Sequence, residues 1–267
     1  MLGLLEKINT MKKIRLLLIL QFIVAACIAQ QTKEVPSITF RGKLTFERKI
    51  NMHKQMDEMM KGSGGNSAMA DNFKKQIPKY KTDVFEMFFT DKESLYKPAP
   101  DGISESKMMM GNVPAERNIV YNNYETMKSV AEKKLFEKTY LVSDSIKQYQ
   151  WKVTEEFRKI AGFNCRRAET IIMDSVYVIA FYTDAILAEG GPESFNGLPG
   201  MILGIVMPRL NVSYFATKMD NYLPLEKEIA APIKGEKVTY LSLNTTLRDS
   251  MKQWGDFLQR ILWFVSI

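Results

Sequence analysis

The chain has 267 residues, 46% apolar, 25% charged and 11% aromatic, a balance that excludes collagen-like, coiled-coil and wholly disordered chains and supplies enough apolar surface for a large core. Two cysteines exclude a disulfide scaffold or a cysteine-rich zinc module, and a single histidine excludes a multi-histidine metal centre, so no metal or cofactor is expected. The formal net charge of +7 is mild, and part of it belongs to the extreme N-terminus.

There, Lys12, Lys13 and Arg15 precede an apolar run from Leu16 to Ile28 that only Gln21 interrupts. A basic stretch before about 7–15 apolar residues is the pattern of a secretory signal and is short for a membrane span. Residues 1–29 therefore read as a signal peptide, with 1–10 as an upstream extension or alternative start. The expected destination is the periplasm or outer membrane of a double-membrane bacterium. Cys27-Ile28-Ala29 suits cleavage before Gln30, the preferred reading, while Val24-Ala25-Ala26-Cys27 resembles a lipobox that would leave Cys27 lipidated. Lys7, Lys12, Lys13 and Arg15 against Glu6 account for +3 of the charge, which leaves +4 on the remainder. That is too small and too evenly spread for a nucleic-acid partner, though it permits peripheral contact with an anionic membrane. After simple cleavage Cys165 is the one mature thiol, so no internal disulfide is expected.

Ile38 to Ile50 alternates: Ile38, Phe40, Leu44, Phe46 and Ile50 point one way and Thr39, Arg41, Lys43, Thr45, Glu47 and Lys49 the other. This is a half-buried strand, with Gly42 as a bend or bulge. Met52, Met56, Met59 and Met60 then fall at helical spacing before Gly62-Ser63-Gly64-Gly65 stops the helix. The methionines read as core filler rather than as soft-metal ligands. Asp83 to Tyr96 reads as one strand buried on both faces, and Lys97 to Pro114 as a loop with Met108-Met109-Met110 at its tip. Asn118 to Met127 and Lys134 to Val142 form a meander, with Phe136, Tyr140 and Val142 on one face. Further strands are expected over Tyr149 to Glu155, Gly162 to Thr170 and Val176 to Thr183. Strands at such regular intervals, without a βαβ rhythm, predict a mainly β protein: a single large curved antiparallel sheet or half-barrel with amphipathic helices packed against it.

Near the C-terminus, Lys237 to Leu243 reads as a short strand, and Leu247, Met251, Trp254 and Leu258 mark an amphipathic helix over Thr245 to Leu258. Arg260 to Ile267 is read as a closing strand rather than a continued helix, because Trp263, Val265 and Ile267 would share one strand face. No repeat or linker divides residues 30–267, so one domain is expected.

The segment Gly190-Gly-Pro192-Glu-Ser-Phe195-Asn-Gly197-Leu198-Pro199-Gly200-Met201-Ile202 resembles the signature that names the GLPGLI family of exported bacterial proteins, with Met201 where the name has leucine. Trp151-Lys-Val-Thr-Glu155, Ile160-Ala-Gly162-Phe163-Asn-Cys165-Arg-Arg-Ala168 and Ala180-Phe-Tyr182-Thr183 resemble that family's other words, in order. The resemblance is strongest from Tyr149 to Ile205 and implies location and fold rather than an activity.

The motif residues Gly197, Leu198, Pro199, Gly200, Met201 and Ile202 also carry a physical reading. Proline fixes φ near −65° and the following glycine supplies positive φ, so Leu198 to Met201 specifies a type II turn. A tight buried corner is favoured over the rim of a binding groove. Cys165, beside Arg166 and Arg167, is expected to be buried and inert, and His53 to pack or face solvent. Glu155, Asp184, Glu189 and Glu193 are the carboxylates that a hydrolase would have to pair. No nucleophile elbow, metalloprotease word, P-loop or dinucleotide fingerprint is present.

The functional expectation is thus a non-enzymatic envelope protein that holds an apolar ligand or an envelope partner in a curved sheet, similar in architecture to periplasmic lipoprotein carriers. Phe88, Tyr121, Trp151, Phe181 and Phe195 are its candidate lining residues. The alternatives are an envelope hydrolase with carboxylates near the Gly190–Gly200 loop, and a structural accessory of an outer-membrane system.

Overall fold

A computed structural model describes residues 39–62, 67–104 and 115–267. The expected signal segment, Cys27 and the cleavage position before Gln30 lie outside these residues, as do Ile38 and Met108 to Met110. In chain order the elements are β1 (Gly42–Asn51), α1 (Met52–Gly62), α2 (Ser67–Gln76), β2 (Tyr80–Phe89), β3 (Glu93–Pro98), β4 (Ile119–Asn123), β5 (Lys128–Leu135) and β6 (Lys138–Ser145). There follow β7 (Lys152–Ile160), β8 (Phe163–Ile172), β9 (Val176–Thr183), β10 (Met201–Met207), β11 (Val212–Asp220), β12 (Glu236–Val238), α3 (Tyr240–Ser250) and α4 (Asp256–Val265).

The strands form one twelve-stranded sheet in the order β12-β6-β5-β4-β3-β2-β1-β11-β10-β9-β8-β7. Two antiparallel meanders, β1 to β6 and β7 to β11, are joined where β1 pairs with β11, and β12 adds to the β6 edge in parallel. The mainly β, single-sheet expectation holds, and the local reasons are visible strand by strand. In β1, Leu44, Phe46, Arg48 and Ile50 face inward, in register with Met87, Phe85, Asp83 and Lys81 of β2. Phe40, expected on the same apolar face, precedes the strand and is exposed. Gly42 sits under close backbone approach, since a Cβ there would lie 2.9 Å from the Asp220 carbonyl oxygen. The bulge itself falls between Thr45 and Phe46.

Several expected strands are divided by turns. Asp83 to Tyr96 is a hairpin, because the Thr90 side-chain oxygen accepts from the amides of Lys92 and Glu93 at 3.2 Å each and closes a turn. Lys134 to Val142 is likewise interrupted at Phe136, whose φ of 54° reverses the chain. Tyr140 and Val142 are buried together, but Phe136 stands exposed at the turn. The helix expected over Thr245 to Leu258 is two helices, broken by a 3-10 turn at Lys252–Trp254 and by Gly255 at φ 49°.

Arg260 to Ile267 is the clearest correction: it lies in and just after α4 rather than in a strand. Ile261, Leu262, Trp263, Phe264 and Val265 are all buried, and a helix apolar on every side is stable only when enclosed. Ile261, Leu262 and Val265 join Val120, Ala131, Tyr140, Val142, Leu243 and Leu247, while Trp263, Phe264 and Ile267 join the main core of β1, β2 and β9 to β11. On its remaining side, Arg260 donates to Gln55 and Glu58 of α1. Met52 and Met56 are core filler, as expected.

Candidate functional site

The loop between β9 and β10 is sealed into the interior. Residues 190–196 are buried throughout, and only Gly197 and Pro199 of the motif reach solvent. The loop is pinned at both ends: Met201 donates its amide to the Ile186 carbonyl at 3.1 Å, and Ile202 donates to Gly190 at 2.8 Å. Gly200 has the expected positive φ, 129°, and a Cβ there would lie 2.2 Å from the Thr183 carbonyl oxygen. The turn nevertheless differs from a type II turn, because Gly200 N–H bonds to Leu198 O at 2.8 Å, closing a three-residue turn around Pro199. Leu198, Met201 and Ile202 are core residues, so the motif is a buried corner.

Glu193 is the focus of this loop. It is 0% exposed, and its φ of 56° places a non-glycine residue in the left-handed region. Asn118 Nδ2 donates to its Oε2 at 2.9 Å and the Tyr214 hydroxyl donates to its Oε1 at 3.2 Å. Burial raises its pKa above the ordinary carboxylate range, against the opposing charges of Lys133 and Arg48. Lys133, on the inward face of β5, is driven the other way: burial pushes its ammonium down to about 8 despite Glu193. Lys133 and Lys147 donate to the main-chain carbonyls of Ile267 and Ser266 and lie over the Tyr240 ring at 5.6 and 3.7 Å. Burial lowers Lys147 as well, and the charge of Lys133 adds to the effect.

A second buried polar group adjoins on β1 and β2. Arg48 Nη2 lies 2.8 Å from Asp83 Oδ2, Lys81 lies 3.3 Å from Asp83 Oδ1, and Lys81 also pairs with Glu116. Burial would raise the Asp83 carboxyl, but the charge and hydrogen bond of Arg48, with Lys81 behind it, hold it below its usual range. The Tyr96 ring stacks on Phe85 at 4.9 Å, and its hydroxyl has no hydrogen-bond partner among the described residues.

A carboxyl biased toward its protonated form near an amine pushed toward neutrality is a composition that proton-transfer chemistry uses. Here both oxygens of Glu193 are already engaged and Lys133 is 1% exposed. The arrangement cross-ties loop, sheet and C-terminal helix. The other carboxylates do not converge on it: Asp184 and Glu189 are exposed, and Glu155 pairs with Arg166 at the surface. Among the described residues no group of three or more His, Cys, Asp or Glu is arranged to hold a metal.

The expected lining aromatics occupy separate regions. Trp151 and Phe195 do meet, with ring centroids 6.5 Å apart, beside Tyr149, and Trp151 Nε1 donates to Asn196 O at 2.8 Å. Phe88 and Tyr121 belong to a satellite cluster with Leu95, Ile229 and Tyr222. Phe181 pairs with Phe215 beneath Arg158, whose guanidinium lies 5.7 and 4.6 Å from the two rings. Cys165 is fully buried, and burial pushes its thiol up to about 12. His53 Nε2 lies 3.2 Å from Ile77 O.

Sequence reasoning named Glu193 only as one carboxylate among several, and it missed Lys133 and Arg48. Strand parity marks both: Arg48 alternates with Phe46 and Ile50, and Lys133 with Ala131 and Leu135.

Residues 81–242 match the family described as the N-glycanase peptide, N-terminal domain, and the chain belongs to that family. The match spans β2 to the start of α3 and includes Asp83, Lys133, Glu193 and Tyr214. Among solved structures, two crystal forms of PNGF-II are similar, each at 14% identity: one with TM-score 0.49, covering 78% of this chain and 32% of that one, the other with TM-score 0.47, covering 81% and 34%. The chain thus spans about a third of the length of those proteins. An uncharacterized conserved protein from Thermus thermophilus is similar at 7% identity and TM-score 0.38, over 76% of this chain and 92% of that one. Comparison with curated protein sequences gives no match.

Proposed function

We propose that this chain is an exported, non-catalytic binding module that holds an envelope partner. The carrying observation is the enclosure of its reactive groups: Glu193, Lys133, Asp83 and Cys165 are all buried. Groups so enclosed serve the rigidity of a scaffold better than the turnover of a substrate. Membership in a family of N-glycanase N-terminal domains supports a module associated with glycan-directed chemistry. The signal pattern in residues 1–29 and the resemblance to exported GLPGLI proteins support export. The dispersal of Phe88, Tyr121, Trp151, Phe181 and Phe195 favours a partner held at the surface over an apolar cargo held inside.

Native mass spectrometry of the protein purified from its own envelope tests this reading. A stoichiometric partner, glycan or protein, that leaves on denaturation supports it; a bare polypeptide mass overturns it. Release of free oligosaccharide from a glycopeptide by this chain alone, lost in Glu193→Gln, overturns the non-catalytic part.

A further inference from the structure

The tip of the β5–β6 hairpin departs sharply from what its local structure favours. Phe136 occupies the first position of the two-residue turn between Leu135 and Lys138, at φ 54°. Glycine or asparagine is the usual solution there, because a Cβ is penalised at positive φ. The phenylalanine is also 53% exposed, so burial does not offset that strain. Facing it is Trp254, 48% exposed, at the end of the turn that separates α3 from α4. The two rings meet edge to face, with centroids 5.8 Å apart at 74°, and Trp254 lies 5.4 Å from Phe257 at 33°. Residues far apart in the chain thus build one aromatic surface. Its base is fixed: Met251 is buried, and Trp254 donates its amide to the Met251 carbonyl at 2.9 Å.

The surroundings narrow the ligand. Exposed Lys134, Glu137 and Lys138 flank Phe136, and exposed Lys252, Gln253 and Asp256 flank Trp254. Charges of both signs sit at this rim. An anionic lipid surface or a nucleic acid calls for a rim of one, basic, sign. A stable protein interface needs on the order of 1,000 Å² or more, far beyond three rings. An apolar ring face bordered by donors and acceptors instead suits a neutral pyranose, whose C–H face stacks while its hydroxyls bond outward. We propose that the Phe136–Trp254–Phe257 surface is a carbohydrate-stacking site for an uncharged oligosaccharide. The proposal rests on the binding-module reading above and gives it a ligand class.

The full chain is titrated with chitotetraose and with mannopentaose while the Trp254 indole N–H is followed by NMR. The expected result is a saturable shift with at least one sugar and, by calorimetry on the same sugars, binding about tenfold weaker in Phe136→Gly and Trp254→Ala. Phe136→Gly separates binding from folding, because glycine is at ease at positive φ. No saturable shift with either sugar, or undiminished binding in Phe136→Gly, overturns the site. Binding to phosphatidylglycerol vesicles without any sugar response, abolished in Phe136→Gly, overturns it in favour of a lipid surface. A native envelope partner that stays bound to the Phe136→Gly protein removes this site while leaving the binding-module reading intact.

Discussion

Tyr214 on β11 donates its hydroxyl to Glu193 across the protein interior, at 3.2 Å, and so fastens the β9–β10 loop to a strand at the middle of the sheet. Because burial raises the Glu193 pKa, the native state holds that proton more tightly than the unfolded chain. The resulting stability is complete below the unfolded carboxyl pKa of about 4.3 and is lost as pH rises through the higher native value. Glu193→Gln keeps the shape without the titration. Urea denaturation across that interval is expected to show the natural protein losing stability relative to Glu193→Gln as pH rises. Parallel curves would refute the assignment. Glu193→Ala, which strands the Asn118 and Tyr214 donors, is expected to cost about 2–4 kcal/mol.

Lys133 has the opposite sign. Its native pKa, pushed down to about 8, lies below the unfolded lysine value of about 10.4. Between these the unfolded chain binds more protons, so stability rises with pH and the gain attains at most about 3 kcal/mol. Lys133→Met removes this lysine's part of the rise. Denaturation midpoints at the two ends of the interval, in both proteins, provide the check.

The Arg48–Asp83 pair resists removal of one partner. Arg48→Met leaves a buried carboxylate with Lys81 as its remaining ion-pair partner and Ser104 as its hydrogen-bond donor, and the expected loss is about 3–5 kcal/mol. The Asp83 contribution is present above the unfolded aspartate pKa, about 3.9, and disappears as pH falls through its lower native value. A melting temperature unchanged in Arg48→Met would contradict this.

Gly200→Ala combines a backbone penalty at φ 129° with a Cβ 2.2 Å from the Thr183 carbonyl oxygen. The expected destabilisation exceeds about 2 kcal/mol. Gly162→Ala is the control: it shares a positive φ, 86°, but its Cβ meets nothing within 4 Å, so thermal melts should rank it well above Gly200→Ala.

Cys165 should resist alkylation in the native state at about pH 8, since its thiol is enclosed and pushed up to about 12. Modification by iodoacetamide is expected only at the rate of unfolding. Rapid native labelling would mean that the β7–β8 region opens far more often than its packing implies.

Much of this fold was legible where burial is one-sided. The alternation of β1 and of Val176 to Thr183 predicts those strands because side-chain period and strand geometry coincide. Turns written without glycine or proline, at Thr90 and Phe136, were not legible: a side-chain hydrogen bond makes one, and a strained backbone the other. Arg260 to Ile267 misled for another reason. Its β-branched and aromatic residues suit a strand, but enclosure on all sides by β4 to β6, α1 and the main core lets a helix bury every one of them. The Glu193 cluster depends on contacts such as Asn118 to Glu193, 75 residues apart, which no local pattern encodes.

The pairing of β1 with β11 has a consequence for how the molecule can be cut. The family match begins at residue 81, so β1 precedes it, yet this strand lies between the two meanders rather than at a margin. A fragment trimmed to the matched residues would lose no peripheral ornament. It would split in two, baring the edges of β2 and β11 at once and stripping Asp83 of Arg48. The earliest strand of the described chain is therefore its keystone, and the sheet can close as one cooperative unit only after β11, near the other end of the sequence, has found it.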